Sequence, residues 1–395
     1  MKNVIGSPAS GEDYFDRPII EKRVWEALSN KCNVLISSPR RVGKTSLLFH
    51  MVDTADNSFY PLYVITQSVG TRNDFFKRLF NAVVAGASIK SSLKISKRSK
   101  ELLRAAIGKI KVIKVSQFGL ELNGSEPPDY FAEFLDLLEH LNLDGSTLVI
   151  MVDEITQTLE NIIRKEGEVK AIEFMEQLRE LRLNEEIRTK ILFIYTGSIG
   201  LEGIMDRLGY ADLINDLHPV KFPSLTRNEA RKFVSALLKN PENLGCSISD
   251  AEIEYLFDRI EWLIIHYIKI ALQAIKDTVV DKELTIVLRD TIDLALDHLL
   301  EHRNHFEHWK TRLRKSFKKN DFKFAMGLLA HAAENAGITT NEILNLAWKY
   351  KVEDQYKSII NDLVYDGYIN NDIDRACYRF NSPILKAWWY KNVTN

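Results

Sequence analysis

The sequence predicts an α/β fold: a three-layer core built on a parallel sheet, followed by a helical region and a small C-terminal domain. Three observations predict it. Apolar runs of strand length recur through the first half, each flanked by helix-period segments, which is the pattern of βαβ units. One such run, Asn33-Val34-Leu35-Ile36, passes into a tight loop and then into a helical segment, Leu47-Leu48-Phe49-His50-Met51-Val52. From Pro223 onward the β signal disappears, to return only as a short alternating pair near the end.

At 395 residues the chain is long enough for two or three domains with substantial cores. A net charge of -1 gives no global case for binding nucleic acid or an anionic membrane. The three cysteines, Cys32, Cys246 and Cys377, are scattered and lack metal-ligand spacing. With no apolar secretory segment at the start, the chain is expected in the cytoplasm with reduced thiols. The longest apolar stretches, Leu148–Val152 and Trp262–Ile265, are too short to span a bilayer, so no membrane partner is expected.

Taken in order, residues 1–20 read as loop, and helix signals run from Glu21 to Ser29. The strand Asn33–Ser37 then leads into Ser38-Pro39-Arg40-Arg41-Val42-Gly43-Lys44-Thr45-Ser46. A strand, a loop ending in Gly-Lys-Thr and a helix form the architecture of a P-loop. Backbone N–H groups cradle phosphates, the lysine reaches the β- and γ-phosphates, and the threonine hydroxyl holds Mg²⁺. Serine stands at position 38 where the pattern has its first glycine. That glycine serves the sharp turn out of the strand, and serine costs little there if its φ is negative. Gly43, where backbone approaches phosphate, is retained. Pro39 stiffens the loop, while Arg40 and Arg41 can contact phosphate, a partner or solvent.

A second strand fits Tyr60–Thr66, and Asp74–Ala85 has helical periodicity. Tyr130–Leu141 is helical, and Ser146–Val152 is an apolar run that ends in Asp153-Glu154. In a parallel sheet the ligand crevice lies at the carboxyl ends of the strands. Asp153 can there face the Mg²⁺ held by Thr45, and Glu154 can act as general base on an attacking water. The alternative is that the two acids cap the next helix. A long charged helix follows at about Glu168–Asn184. Another apolar run, Ile191–Tyr195, ends in Thr196-Gly197-Ser198, where the hydroxyls of Thr196 and Ser198 are candidates to bond the water or the γ-phosphate.

Two stretches are basic. Residues 90–115 hold Lys90, Lys94, Lys97, Arg98, Lys100, Arg104, Lys109, Lys111 and Lys114 against Glu101 alone. They suit either a contact surface for nucleic acid or an acidic partner, or a solvated amphipathic helix. Residues 302–323 carry a similar excess, with His302, His305 and His308 spaced three apart but no acid or cysteine paired with them. Between the two, Thr226 and Glu229 form a capping-box pattern. At the end, helices at Phe324–Ala336, Thr340–Trp348 and Gln355–Asp366 precede alternating residues at 368–370 and 378–380. This is a winged-helix-like pattern. The stretch Val352–Gly367 that holds its third helix carries Glu353, Asp354, Asp362 and Asp366 against only Lys357, which favours protein contact over a DNA groove. Ala387-Trp388-Trp389-Tyr390 is expected to pack the terminus.

The segments Asp13-Tyr14-Phe15-Asp16-Arg17-Pro18, Ser38–Ser46, Val152-Asp153-Glu154 and Thr196-Gly197-Ser198 together resemble the archaeal-type ATPase family, within the AAA-like, signal-transducing (STAND) branch of P-loop NTPases. The resemblance covers roughly residues 12–275. It implies a three-layer P-loop NTPase core at 1–222 with a basic insertion at about 86–127. A helical lid at 223–300, a basic linker helix at 301–323 and a winged-helix-like domain at 324–395 would follow. By the same resemblance, Phe15 and Arg17 are candidate base contacts, and adenine is the expected base. Relatives often carry a proline in the lid where this chain has Ile265. Arg179, Arg182, Arg188 and Arg207 are candidate arginine fingers, none marked by a motif. The expected function is an ATP- and Mg-dependent switch that couples nucleotide state to a protein partner or to homo-oligomer assembly. The alternative is a nucleic-acid-binding regulator tuned by ATP.

Overall fold

The computed structural model describes residues 1–89, 128–141, 145–197, 200–301, 305–317, 319–371 and 374–394. The whole of the basic stretch 90–115, as well as Ser198 and His302, lies outside the described residues. The chain forms two compact units. The sheet unit comprises Arg17–Ser37 and Lys44–Lys221, and the lid unit comprises Met1–Asp16, Ser38–Gly43 and Phe222–Asn395.

The sheet unit begins with helix α1, Pro18–Ser29. It starts three residues before the charged segment that signals it, because Pro18 at the first helical position has a φ already suited to a helix. Strand β1 (Val34–Ser37), helix α2 (Lys44–Thr54), strand β2 (Phe59–Ile65) and helix α3 (Arg72–Ile89) follow. Helix α4 is Tyr130–His140 and strand β3 is Thr147–Asp153. Helix α5, Ile155–Glu166, is an element that the sequence reading leaves out, while α6, Glu168–Leu183, is the charged helix expected at about Glu168–Asn184. Gly167, at φ 91°, breaks the two apart. Helix α7 (Glu185–Arg188), strand β4 (Ile191–Gly197), helix α8 (Leu201–Leu208) and the two-residue strand β5 (His218–Pro219) complete the unit.

The strands are parallel in the order β2-β3-β4-β1-β5. Every residue of β3 and β4 is buried, so both faces of the sheet are covered, as apolar parallel strands require. Register sets the strand ends level: Ile65 pairs with Asp153, and Val152 with Tyr195. The carboxyl ends of β2, β3 and β4 therefore share one edge of the sheet. Arg182 of α6, with a fully buried side chain, makes paired bonds to Asp216 at 2.6 and 2.8 Å, and Arg179 meets Asp212 at 3.0 Å. Both arginines are spent on internal ion pairs.

In the lid unit, helix α9 (Arg227–Leu238) opens with the capping box that Thr226 and Glu229 predict. Helices α10 (Asp250–Ile260), α11 (Ile265–Asp281) and α12 (Arg289–Glu301) follow. The first residues of the chain strap this bundle. Asn3 bonds Asn243 and the carbonyl of Lys269, whose ammonium donates to Val4 O at 3.1 Å. Helix α13 is Glu307–Ser316, and helix α14, Lys319–Glu334, begins inside the same basic stretch. Phe306, Trp309, Leu313 and Phe317 are buried along this stretch and give it an apolar side.

The C-terminal part is a winged helix. Strand β6 (Ile338–Thr339), helix α15 (Thr340–Tyr350), helix α16 (Tyr356–Tyr365), strand β7 (Ile369–Asn370) and strand β8 (Cys377–Phe380) follow α14. Strand β8 lies between β6 and β7, antiparallel to both. Helix α17, Pro383–Trp389, closes the domain with Trp388 and Trp389 fully buried, as the aromatic run predicts. A buried ion pair, Arg312 to Asp366 at 2.9 Å, and a bond from Tyr368 to Trp309 O at 2.7 Å tie α13 to the wing.

Burial and the nearby charges of Arg41, Arg40 and Arg312 push the His308 imidazole from 6.5 down to about 3. A histidine held neutral in the fold adds nothing above its unfolded pKa. Below that value the unfolded chain binds the extra proton, so stability falls with falling pH. The lid unit should therefore lose stability between pH 6.5 and about 3. The slope should be about 1.4 kcal/mol per pH unit for this one group. Urea midpoints measured across that range should show a shallower slope in His308→Gln.

Candidate functional site

The loop Ser38–Gly43 belongs to the lid unit and the helix it opens belongs to the sheet unit, so each half is described within its own unit. Ser38 is nine-tenths buried and absent from the residues with positive φ, so the serine turns without the strain that would require glycine. The left-handed conformations fall on Arg41 (φ 66°) and Gly43 (φ 113°). A Cβ built on Gly43 would lie 3.6 Å from Ile265 Cδ1 and 3.8 Å from Phe222 Cζ, which is ordinary contact. The backbone angle, rather than space, requires glycine here. Ile265 is the first residue of α11, a position where proline is also well suited.

Arg41 reaches the lid helix. Its Nη1 lies 3.3 Å from Nδ1 of His266 and hydrogen-bonds Nε2 of the same ring. His266 is buried, and burial, followed by the charge of Arg41, holds its pKa well below 6.5. The imidazole is therefore neutral and available as an acceptor. Beyond the three uses expected of Arg41, the structure shows a contact within the protein.

In the sheet unit, α2 starts with Lys44, which is buried, and Thr45. The first N–H groups of such a helix have no partner within it, and its dipole favours anions. Thr45 Oγ1 donates to Asp153 Oδ2 at 2.9 Å. Tyr63 of β2 donates to the same oxygen, also at 2.9 Å, and Thr196 of β4 donates to Oδ1. The Thr196 hydroxyl also accepts from the N–H of Glu154 at 3.4 Å. Asp153 is only 2% exposed, so these side chains take the place of water around its charge. Burial, then the Asp153 carboxylate, pushes the Tyr63 phenol well above its usual range, which keeps it a donor.

Glu154 sits at the N-cap of α5 in a left-handed conformation, φ 64° and ψ 42°, and its side chain makes no capping bond. A strained, non-glycine residue at a strand end is a mark of functional sites. Helix capping, the alternative for this pair of acids, is not what Glu154 does.

The structure thus brings together Thr45, Asp153, Glu154 and Thr196. Ser46 follows Thr45 on α2. Pro39, Arg40 and Val42 stay with the loop in the lid unit. Phe15 packs edge-on against Phe233 of α9, with ring centroids 5.1 Å apart. Arg17 is buried in the sheet unit, where its carbonyl accepts the first N–H groups of α1. Tyr63 and His266 carry no motif. Tyr63 becomes visible only through the register of β2 on β3.

A Mg²⁺ ion fits the residues present. It is a hard cation held by one or two protein oxygens and completed by phosphate and water, and Thr45 and Asp153 already point oxygens at one another. Among the described residues no cluster of three or more His, Cys, Asp or Glu offers a metal cage built from protein alone. No described helix is long and apolar enough to cross a membrane.

The parallel sheet in this order, with helices around it, is the fold of a P-loop ATPase core, and the chain ends in a winged helix. No family model matches the sequence, and no curated protein matches it. Among solved structures, the chain is similar to the Walker-type ATPase PABY2304 of Pyrococcus abyssi. The TM-score is 0.64 at 18% identity, over 98% of this chain and 99% of that one. It is also similar to the Aeropyrum pernix ORC2 protein in its ADPNP-ADP complexes, with TM-score 0.55 at 12% identity, over 94% of this chain and 90% of that one. At such identities the likeness is one of fold.

Gly43→Ala would place a Cβ on a backbone at φ 113°. The expected cost is about 1–3 kcal/mol. It should appear as a lower thermal midpoint of the ligand-free protein, whereas an unchanged midpoint would mean that the loop adopts another conformation freely.

Proposed function

We propose that the chain binds ATP with Mg²⁺ and hydrolyses it, using the nucleotide state to control contact with a protein partner or a second copy. The observation that carries this is the Thr45–Asp153 bond with Glu154 beside it, at the carboxyl end of β3. ATP is favoured because PABY2304 is a Walker-type ATPase and ORC2 was solved with ADPNP and ADP.

In this proposal the N–H groups of Ser38–Gly43 and Lys44 hold the phosphates, and the Lys44 ammonium stabilises charge on the transferring group. Thr45 and Asp153 hold the metal, which when bound neutralises charge on the phosphate oxygens. Glu154 orients the attacking water and takes its proton. Thr196 keeps Asp153 and the Glu154 backbone in place, and Phe15 and Arg17 are the candidate base contacts. The functional division is the one expected from the sequence: core to 222, lid to 300, linker to 323, then the winged helix. Because Gly43 and Arg41 touch Phe222, Ile265 and His266, a change of loop conformation acts directly on the lid. Protein contact through the winged helix is supported by Leu344 and Trp348, one turn apart on α15, with Trp348 72% exposed.

Glu154→Gln should lower turnover about 100-fold or more while ATP binding persists. Lys44→Ala should lose ATP binding itself. Turnover that survives Glu154→Gln would remove the general-base role, as measured by phosphate release beside fluorescent-nucleotide titration.

A further inference from the structure

We infer that Tyr63 is a positioning residue for the metal site, acting through Asp153 to hold the carboxylate in its binding orientation. This rests on the proposal that Asp153 is a metal ligand.

The position of Tyr63 follows from the sheet. Residues paired across parallel strands point to the same face, and the side-chain period of a strand is two. Tyr63 pairs with Met151 and Ile65 with Asp153, so Tyr63 and Asp153 lie diagonally on one face. Helix α2 covers that face with residues one turn apart. Thr45 bonds the carboxylate, while Phe49 packs edge-on against the Tyr63 ring, with centroids 4.7 Å apart and an interplanar angle of 75°. Phe49 thereby fixes the ring whose hydroxyl is aimed at Asp153.

The count of donors gives Tyr63 its role. An ionised carboxylate accepts about two hydrogen bonds on each oxygen. Oδ2 of Asp153 accepts from Thr45 and Tyr63, and Oδ1 accepts from Thr196. For Thr45 and Asp153 to bind a cation together, the Thr45 hydroxyl turns a lone pair to the ion, and its single O–H can stay on Oδ2 or leave it. Tyr63 is the donor on Oδ2 that does not itself bind the ion, while Thr196 holds Oδ1. With the phenol hydroxyl removed, Oδ2 is left to Thr45 alone, in a site too buried for water to restore the second bond. Partners that orient a metal-binding carboxylate typically contribute 10- to 100-fold in metal affinity.

The test is Mn²⁺ binding to the full-length protein with ADP, read by electron paramagnetic resonance, beside ADP binding in EDTA. Tyr63→Phe keeps the ring against Phe49 and removes only the hydroxyl. It should weaken Mn²⁺ about tenfold and leave metal-free ADP binding within about twofold of wild type. Mn²⁺ affinity equal to wild type, or tighter, overturns the inference. If Tyr63→Phe does not fold, Phe49→Leu decides. It keeps the hydroxyl and loosens its support, so it should also weaken Mn²⁺, and wild-type affinity there overturns the inference. Asp153→Asn separates the two proposals. If it binds Mn²⁺ like wild type, Asp153 is not a metal ligand and both proposals fall. If it loses Mn²⁺ while Tyr63→Phe does not, only the role of Tyr63 falls.

Discussion

A carboxylate that is 2% exposed has to be answered by donors, and Asp153 draws them from three elements that meet nowhere in the sequence. Thr45 comes from the start of α2, Tyr63 from β2 and Thr196 from β4. An ionised group in such a place would be costly without them. Their placement in turn requires the strand order, since β3 must lie between β2 and β4 for all three to reach it. The buried acid and the sheet topology are thus one constraint seen from two sides. The same carboxylate is the one proposed to hold a hard cation.

The lid unit has a different logic. It gathers the loop arginines, two histidines and a set of aromatic rings around α11 and α13. Arg41 meets a neutral imidazole rather than an acid, while Arg312 pairs with Asp366. Burial and neighbouring positive charge both favour neutral histidine, so His266 accepts where an acid would otherwise be needed. Aromatic contacts run from Trp262 through Trp309 to Tyr368, and from there to Trp389. Loop, lid and winged helix therefore pack as one unit, and a ligand that altered the loop would strain contacts along this path.

Much of the fold was legible because it is written in local patterns. Apolar runs marked β1 to β4 within a residue or two, and capping-box spacing marked the start of α9. Three helices and a hairpin marked the winged helix. The exceptions have physical causes. Strand β5 has only two residues and no period to detect. Helix α5 is missed because Thr156, Thr158 and Asn161 lie among its buried residues and weaken the apolar period. In the basic stretch at 302–323 the charges outnumber Phe306, Trp309, Leu313 and Phe317, the buried residues that pack it, and so mask its apolar side.

By itself the sequence determined the chemistry on offer. A Gly-Lys-Thr loop opening a helix and an Asp-Glu pair closing an apolar strand are local signatures, because each depends on residues that are neighbours in the chain. Only the tertiary structure decided how those groups are held. Tyr63 on Asp153, Thr196 bridging Asp153 to the Glu154 backbone, Arg41 on His266 and the left-handed turn at Glu154 all depend on strand register or on helices packed far along the chain. No periodicity encodes such a pairing, since it exists only once the sheet has brought distant residues to one edge.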